Sequence, residues 1–174
     1  MSRAFVREDD QGSDALPDRV ISTHPNFVTP TGLAQLEARV RELEAAHSVA
    51  REAGDRDALA RIDRDLRYFG ARRASARVVT ADAQPGVVRF GVGVVLRLAD
   101  GATRDLRLVG EDEADPAAGL ISYVSPLAQL LLGLGRGDTL PFAGSTAEVE
   151  SLSGRCSSRR ARRSRCGCRD PDAS

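Results

Sequence analysis

The chain has 174 residues, 41% hydrophobic and 29% charged, a globular composition with room for one ordinary domain or two small ones. No apolar run approaches the ~20 residues that cross a bilayer. Glu8, Asp9 and Asp10 stand where a secretion signal needs apolar residues, so neither membrane insertion nor export is expected and the cytoplasm is the expected location.

The 25 basic and 25 acidic residues are unevenly placed: seven arginines and two aspartates fall in residues 155–174, leaving residues 1–154 with a net charge of −5. Every basic residue is Arg, which reads as the bias of a GC-rich gene. Cys156, Cys166 and Cys168 all lie in that basic tail. Three thiols without histidine fall short of a tetrahedral metal site, and a body without cysteine fits a reducing compartment. The tail shows no periodicity and is expected to be disordered.

Residues 1–28 are polar, broken by Pro17 and Pro25, and read as an extended arm that Val20, Ile21, Phe27 and Val28 dock on the body. Thr29 and Pro30 then suit the cap and first turn of a helix. Leu33, Leu36, Val40, Leu43, His47, Ala50 and Gly54 follow at alternating spacings of three and four, a heptad seam. Gly54 ends it. A second seam runs through Leu59, Ile62, Leu66, Phe69, Arg73 and Ala76. So short a connection makes the two helices an antiparallel hairpin.

After Gln84-Pro85-Gly86 the pattern changes. Residues 87–98 and 103–109 read as strands around the hairpin signal Asp100-Gly101. A polar loop with Glu111, Asp112, Glu113 and Asp115 follows, either a solvated turn or a surface complementary to a basic partner. Residues 120–124 read as a strand. Ser125 and Pro126 open a short helix with Leu127, Leu130, Leu131 and Leu134 on its apolar face, and residues 138–142 and 147–152 are the last strands. The fold class is α+β: a coiled-coil hairpin over 29–83, then a small antiparallel sheet with one helix over 84–153.

Several stretches carry a family resemblance. GEDEADPAAGLISYVSPLAQLLLGLGRGDT over 110–139 resembles the C-terminal domain of the bacterial GreA/GreB transcription elongation factors. TPTGL over 29–33 and ARIDRDLRY over 60–68 resemble the two arms of the same family's coiled coil. The resemblance implies an FKBP-like globular domain at the rim of the RNA polymerase secondary channel, with the coil inserted. It implies tip acids that help hold a second Mg²⁺ in the polymerase active site, where the ion activates water to cut backtracked RNA. The chain itself would be no enzyme and would carry no cofactor. It would act as a monomer with RNA polymerase as partner, meeting nucleic acid only through the transcription complex.

The family's acidic tip has the form Gly-Asp-x-x-Glu-Asn, whereas here the tip reads Gly54-Asp55-Arg56-Asp57-Ala58. Each helix is also shorter than in full-length members by roughly eight to ten residues, about 12–15 Å of reach. Asp55 and Asp57 are therefore candidates for tip chemistry or for helix capping alone. Val124, Ser125, Pro126 and Asp115 are the candidates for polymerase contact. The expected function is an elongation regulator that occupies the channel with a shortened coil. The alternatives are a cleavage-competent factor and, on fold analogy alone, a peptidyl-prolyl isomerase using Phe90, Tyr123 and Phe142.

Overall fold

The computed structural model describes residues 16–82 and 84–154. The Arg/Cys-rich segment read above as a disordered tail lies outside the described residues, apart from Gly154, as do the first fifteen residues of the arm.

Helix α1 spans Pro30–Ala53 and helix α2 spans Arg56–Ser75. The Thr29 hydroxyl accepts from the Gly32 amide at 3.0 Å, satisfying one of the amides a helix start leaves open. Gly54 closes α1 at φ 68, the left-handed region a side chain disfavours. One residue later Asp55 caps α2, its carboxylate accepting from the Ala58 amide at 3.0 Å. Leu36, Val40, Leu43 and Ala50 are buried along the first seam, as the spacing predicts. His47, also on that seam, meets Asp63 of the opposite helix at 3.2 Å.

The second seam departs from expectation at its base. Arg73 is exposed there, and Arg72 is buried instead, at 1% exposure. One residue turns the helix by about 100°, so α2 changes its buried face where the globular part, rather than α1, covers it. The arm also differs from its reading. Phe27–Val28 (β1) docks, running parallel to Arg77–Val78 (β2). Val20 and Ile21 stay exposed, at 92% and 43%.

The globular part is a five-stranded sheet built from β3 (Gly93–Leu98), β4 (Thr103–Val109), β5 (Leu120–Ser122), β6 (Thr139–Phe142) and β7 (Ser145–Ser153), in the order β5-β4-β3-β7-β6. The α+β class holds, but the sheet is mixed rather than antiparallel, because β5 runs parallel to β4. The crossover from β4 to β5 is the acidic loop and a 3₁₀ turn at Pro116–Ala118. Residues 87–92, expected to be strand, are not: Val87 makes one bridge to Gly135, and a turn at Phe90-Gly91 precedes β3. The short helix α3 (Pro126–Leu131) starts from the Ser125 cap and buries Ala128 and Leu131 against the sheet. Leu130, placed on its apolar face by the sequence, is 49% exposed. The core is Val88, Val92, Val94, Leu96, Leu108, Ala128, Leu131, Leu140, Ala147 and Val149.

Candidate functional site: the hairpin tip and its base

The tip is the two-residue link between α1 and α2. Asp55 is exposed, and one carboxylate oxygen holds the Ala58 amide. A carboxylate carries about four acceptor positions, so capping leaves the second oxygen unused among the described residues. Asp57 is exposed in the first turn of α2. The turn thus brings both acids to one end of a hairpin whose longer helix, at 24 residues, extends about 36 Å. Cap and helix polarity together explain why acids sit there, since a helix start favours negative charge.

At the other end of the hairpin the loop Glu111–Glu113 meets the coil. This is the part of the molecule that the sequence reading placed in solvent or against a partner. The Arg72 side chain, 2% exposed, has its Nε 2.5 Å from Asp112 Oδ2 and its Nη2 3.3 Å from Glu111 Oε2. The Tyr68 hydroxyl donates to the other Asp112 oxygen at 2.8 Å. The Thr29 hydroxyl donates to Glu113 at 2.7 Å. A Cβ at Gly32 would lie 2.5 Å from Glu113 Oε2, so the glycine gives that carboxylate its seat over the start of α1. Helix α1 has no acid of its own in its first turn, and Glu113 supplies one from outside the helix.

The electrostatics follow from this enclosure. Burial works against the Arg72 cation, but Asp112, Tyr68 and Glu111 together outweigh it and hold the guanidinium above its ordinary value. Burial, then the Asp112 carboxylate, push the Tyr68 hydroxyl up. Tyr123 is pushed up by burial and by Glu111.

Around this junction the Phe27, Phe90 and Tyr123 rings stand 5.6–6.0 Å apart, and the Tyr123 hydroxyl donates to the Pro25 carbonyl. Phe90 and Tyr123 therefore turn toward the arm rather than lining an open pocket of the globular part. Outside the junction, Asp18 pairs with Arg67 at 2.6 Å, and the Arg19 guanidinium lies 3.9 Å from the centre of the Tyr68 ring. The sequence held a signal for this face of α2: Asp65, Tyr68 and Arg72 form a second stripe, at spacings of three and four.

Of the candidates for polymerase contact, Ser125 caps α3, its hydroxyl accepting from the Ala128 amide at 3.2 Å. Pro126 beside it is exposed and Val124 half-buried. Asp115 lies within the crossover, bridged to Leu120 at the start of β5, and caps the 3₁₀ turn by accepting from the Ala117 and Ala118 amides. The structure thus gathers Val124, Ser125 and Pro126 at the end of β5 and gives Asp115 a local capping role. No group of three or more metal-ligating side chains occurs among the described residues. No helix among them is long and apolar enough to cross a membrane.

The family described as "Transcription elongation factor, GreA/GreB, C-term" matches residues 83–152. Transcription elongation factor GreA of Desulfovibrio desulfuricans is 35% identical over 152 residues, covering 82% of this chain and 90% of the relative. The chain belongs to the GreA/GreB family of transcription elongation factors. Transcription elongation factor GreB of Xanthomonas axonopodis is 39% identical over 126 residues, covering 61% of this chain and 75% of that relative. A solved GreA/GreB factor from Nitrosomonas europaea superposes with a TM-score of 0.36 at 23% identity, over 73% of this chain and 98% of that one. In this chain the two ends of the hairpin differ: the tip carries Asp55 and Asp57, and the base ties the coil to the globular part.

Proposed function

We propose that this chain regulates transcription elongation as a monomer bound to RNA polymerase, its shortened hairpin entering the secondary channel. The globular part sits at the channel rim with Val124, Ser125 and Pro126 toward the polymerase. The observation that carries this reading is a hairpin about 36 Å long ending in Asp55 and Asp57, in a chain of the GreA/GreB family. In this role it occupies the channel without stimulating cleavage and competes with factors that do.

One observation favours a second reading, in which the chain stimulates Mg²⁺-dependent cleavage of backtracked RNA by the polymerase. Asp57 and the uncommitted oxygen of Asp55 are hard donors of the kind Mg²⁺ takes, one or two carboxylates with water and phosphate completing its shell. The ion belongs to the polymerase, where it would supply an activated water.

The test is co-purification of the full chain with RNA polymerase, followed by RNA cleavage in a stalled complex. The first reading expects binding, no cleavage above the factor-free rate, and inhibition of an added cleavage factor. Cleavage that Asp55→Asn and Asp57→Asn abolish would establish the second reading. Absence of binding would end both.

A further inference from the structure

We propose that Asp112 and Glu113 are positioning residues that fix the angle at which the coil leaves the globular part, and so where the tip acids arrive. The proposal rests on the channel-insertion reading for its functional consequence, but its geometric content stands without it.

Loop residues 110–113 touch each of the elements that meet at the base. A Cβ at Gly110 would lie 2.6 Å from the Phe27 carbonyl, so the loop abuts β1 there. Asp112 ties two consecutive turns of α2, at Tyr68 and Arg72. Glu113 ties the first turn of α1 at Thr29. The loop is thus tied to three separate elements, β1, α2 and α1.

The contacts are also directional. Each oxygen of Asp112 takes a bond of its own, and both oxygens of Glu113 share the single Thr29 proton, so a swinging coil pulls against fixed donors. A swing would strand the Arg72 guanidinium, whose side chain is 2% exposed, away from its partners. The Phe27–Phe90–Tyr123 rings at the junction pack through apolar faces that tolerate many angles, with one directional bond, from the Tyr123 hydroxyl to the Pro25 carbonyl.

Lever length turns a small angle into a functional error. A tilt of about 10° over about 36 Å moves the tip by about 6 Å. A carboxylate must come within ~2.1 Å of Mg²⁺ to bind it, so a displacement of that size takes it out of reach. The clasp thus lies at the far end of the hairpin from the chemistry while governing it.

The experiment is pulsed electron spin resonance on the full chain, with Cys156, Cys166 and Cys168 changed to Ser. Spin labels are placed at Glu52→Cys near the tip and Arg136→Cys on the globular part. In the Asp112→Asn/Glu113→Gln double variant the label-to-label distribution is expected to broaden at least twofold. A control pair within the coil, Ser48→Cys with Arg61→Cys, keeps its distribution, which shows the hairpin intact. Tyr68→Phe removes one tie without touching a charge and is expected to broaden the distribution less; it serves where the double variant does not fold. A distribution as narrow as the parent's in whichever variant folds overturns the proposal.

A second readout uses polymerase. The double variant is expected to bind within about twofold of the parent affinity, while photocrosslinking from position 56 to the active-site region falls at least tenfold. Unchanged crosslinking overturns the proposal. A parent chain that does not bind polymerase overturns the functional reading alone, because the spin-label result is obtained without polymerase.

Discussion

Gly32→Ala is the sharpest probe of how the coil is held, because elementary helix energetics and the structure predict opposite signs. Alanine in place of glycine near a helix start is favourable by about 0.5–1 kcal/mol. Here the added Cβ would lie 2.5 Å from Glu113 Oε2 and 3.1 Å from its Cδ. The Glu113 carboxylate must then shift, which pulls it from the one Thr29 proton its oxygens share at 2.7 and 2.8 Å. A hydrogen bond to a charged group contributes about 1.5–3 kcal/mol, and a carboxylate over a helix start adds about 0.3–1 kcal/mol. The loss exceeds the gain, and Gly32→Ala should destabilise the chain by about 1–2 kcal/mol.

In a Glu113→Ala background the obstacle is gone, and the same substitution should stabilise by about 0.5–1 kcal/mol. The coupling between the two positions is then about 1.5–3 kcal/mol, well beyond the ~0.5 kcal/mol scatter of independent sites. Urea unfolding followed by circular dichroism at 222 nm, on the four chains of the cycle, measures it. Equal stabilisation by Gly32→Ala in both backgrounds would show that Glu113 does not sit over α1, and the clasp argument would fall.

Other expectations follow from the same geometry. Arg72→Met leaves Asp112 and Glu111 facing a neutral side chain and should cost about 3 kcal/mol in urea unfolding. Asp55→Ala removes the α2 cap and should cost about 1 kcal/mol, while Asp55→Asn, which still caps, should cost less than about 0.5 kcal/mol. Asp57→Ala should likewise change stability by less than about 0.5 kcal/mol, being exposed and unpaired among the described residues. Tyr68 and Tyr123 are the only tyrosines and there is no tryptophan, so absorbance at 295 nm reports these two hydroxyls directly. Both pKa values are raised in the folded chain. Folded protein therefore keeps protons that the unfolded chain sheds near pH 10. That contribution is complete below about pH 10 and is lost as pH rises through the folded midpoints. The native titration should run above that of the chain in urea, and Tyr68→Phe should flatten the fall in unfolding midpoint between about pH 9.5 and 11.

The hairpin was legible because its two seams are periodic and apolar. Leu36, Val40 and Leu43 are buried where a heptad puts them, and Gly54-Asp55 marks the reversal by glycine and capping chemistry alone. The caps Thr29, Ser125 and Asp55 could be read for the same local reason. What could not be read depends on contacts distant in sequence. Arg72 is buried because residues forty positions away supply its counter-charges, and no window on α2 contains them. The parallel pairing of β5 with β4 depends on a crossover through the acidic loop, whose composition alone suggests a solvated turn. Val87 to Val92 resembles strand by composition, yet Phe90 points into the junction and breaks the run.

The acids of this chain are sorted by the company they keep. At the base, Glu111, Asp112 and Glu113 lie against a guanidinium, a phenol, a hydroxyl and a helix start, and their charge is consumed in holding the coil. At the tip, Asp55 spends one oxygen on an amide and Asp57 none among the described residues, although Arg51 and Arg56 are close in sequence. An acid whose charge is already matched inside the fold gives up structure when it turns to a partner, whereas an unpaired one in water binds at little structural cost. That asymmetry, rather than the count of acidic residues, separates the acids that hold the coil from the tip acids Asp55 and Asp57, which the fold leaves exposed.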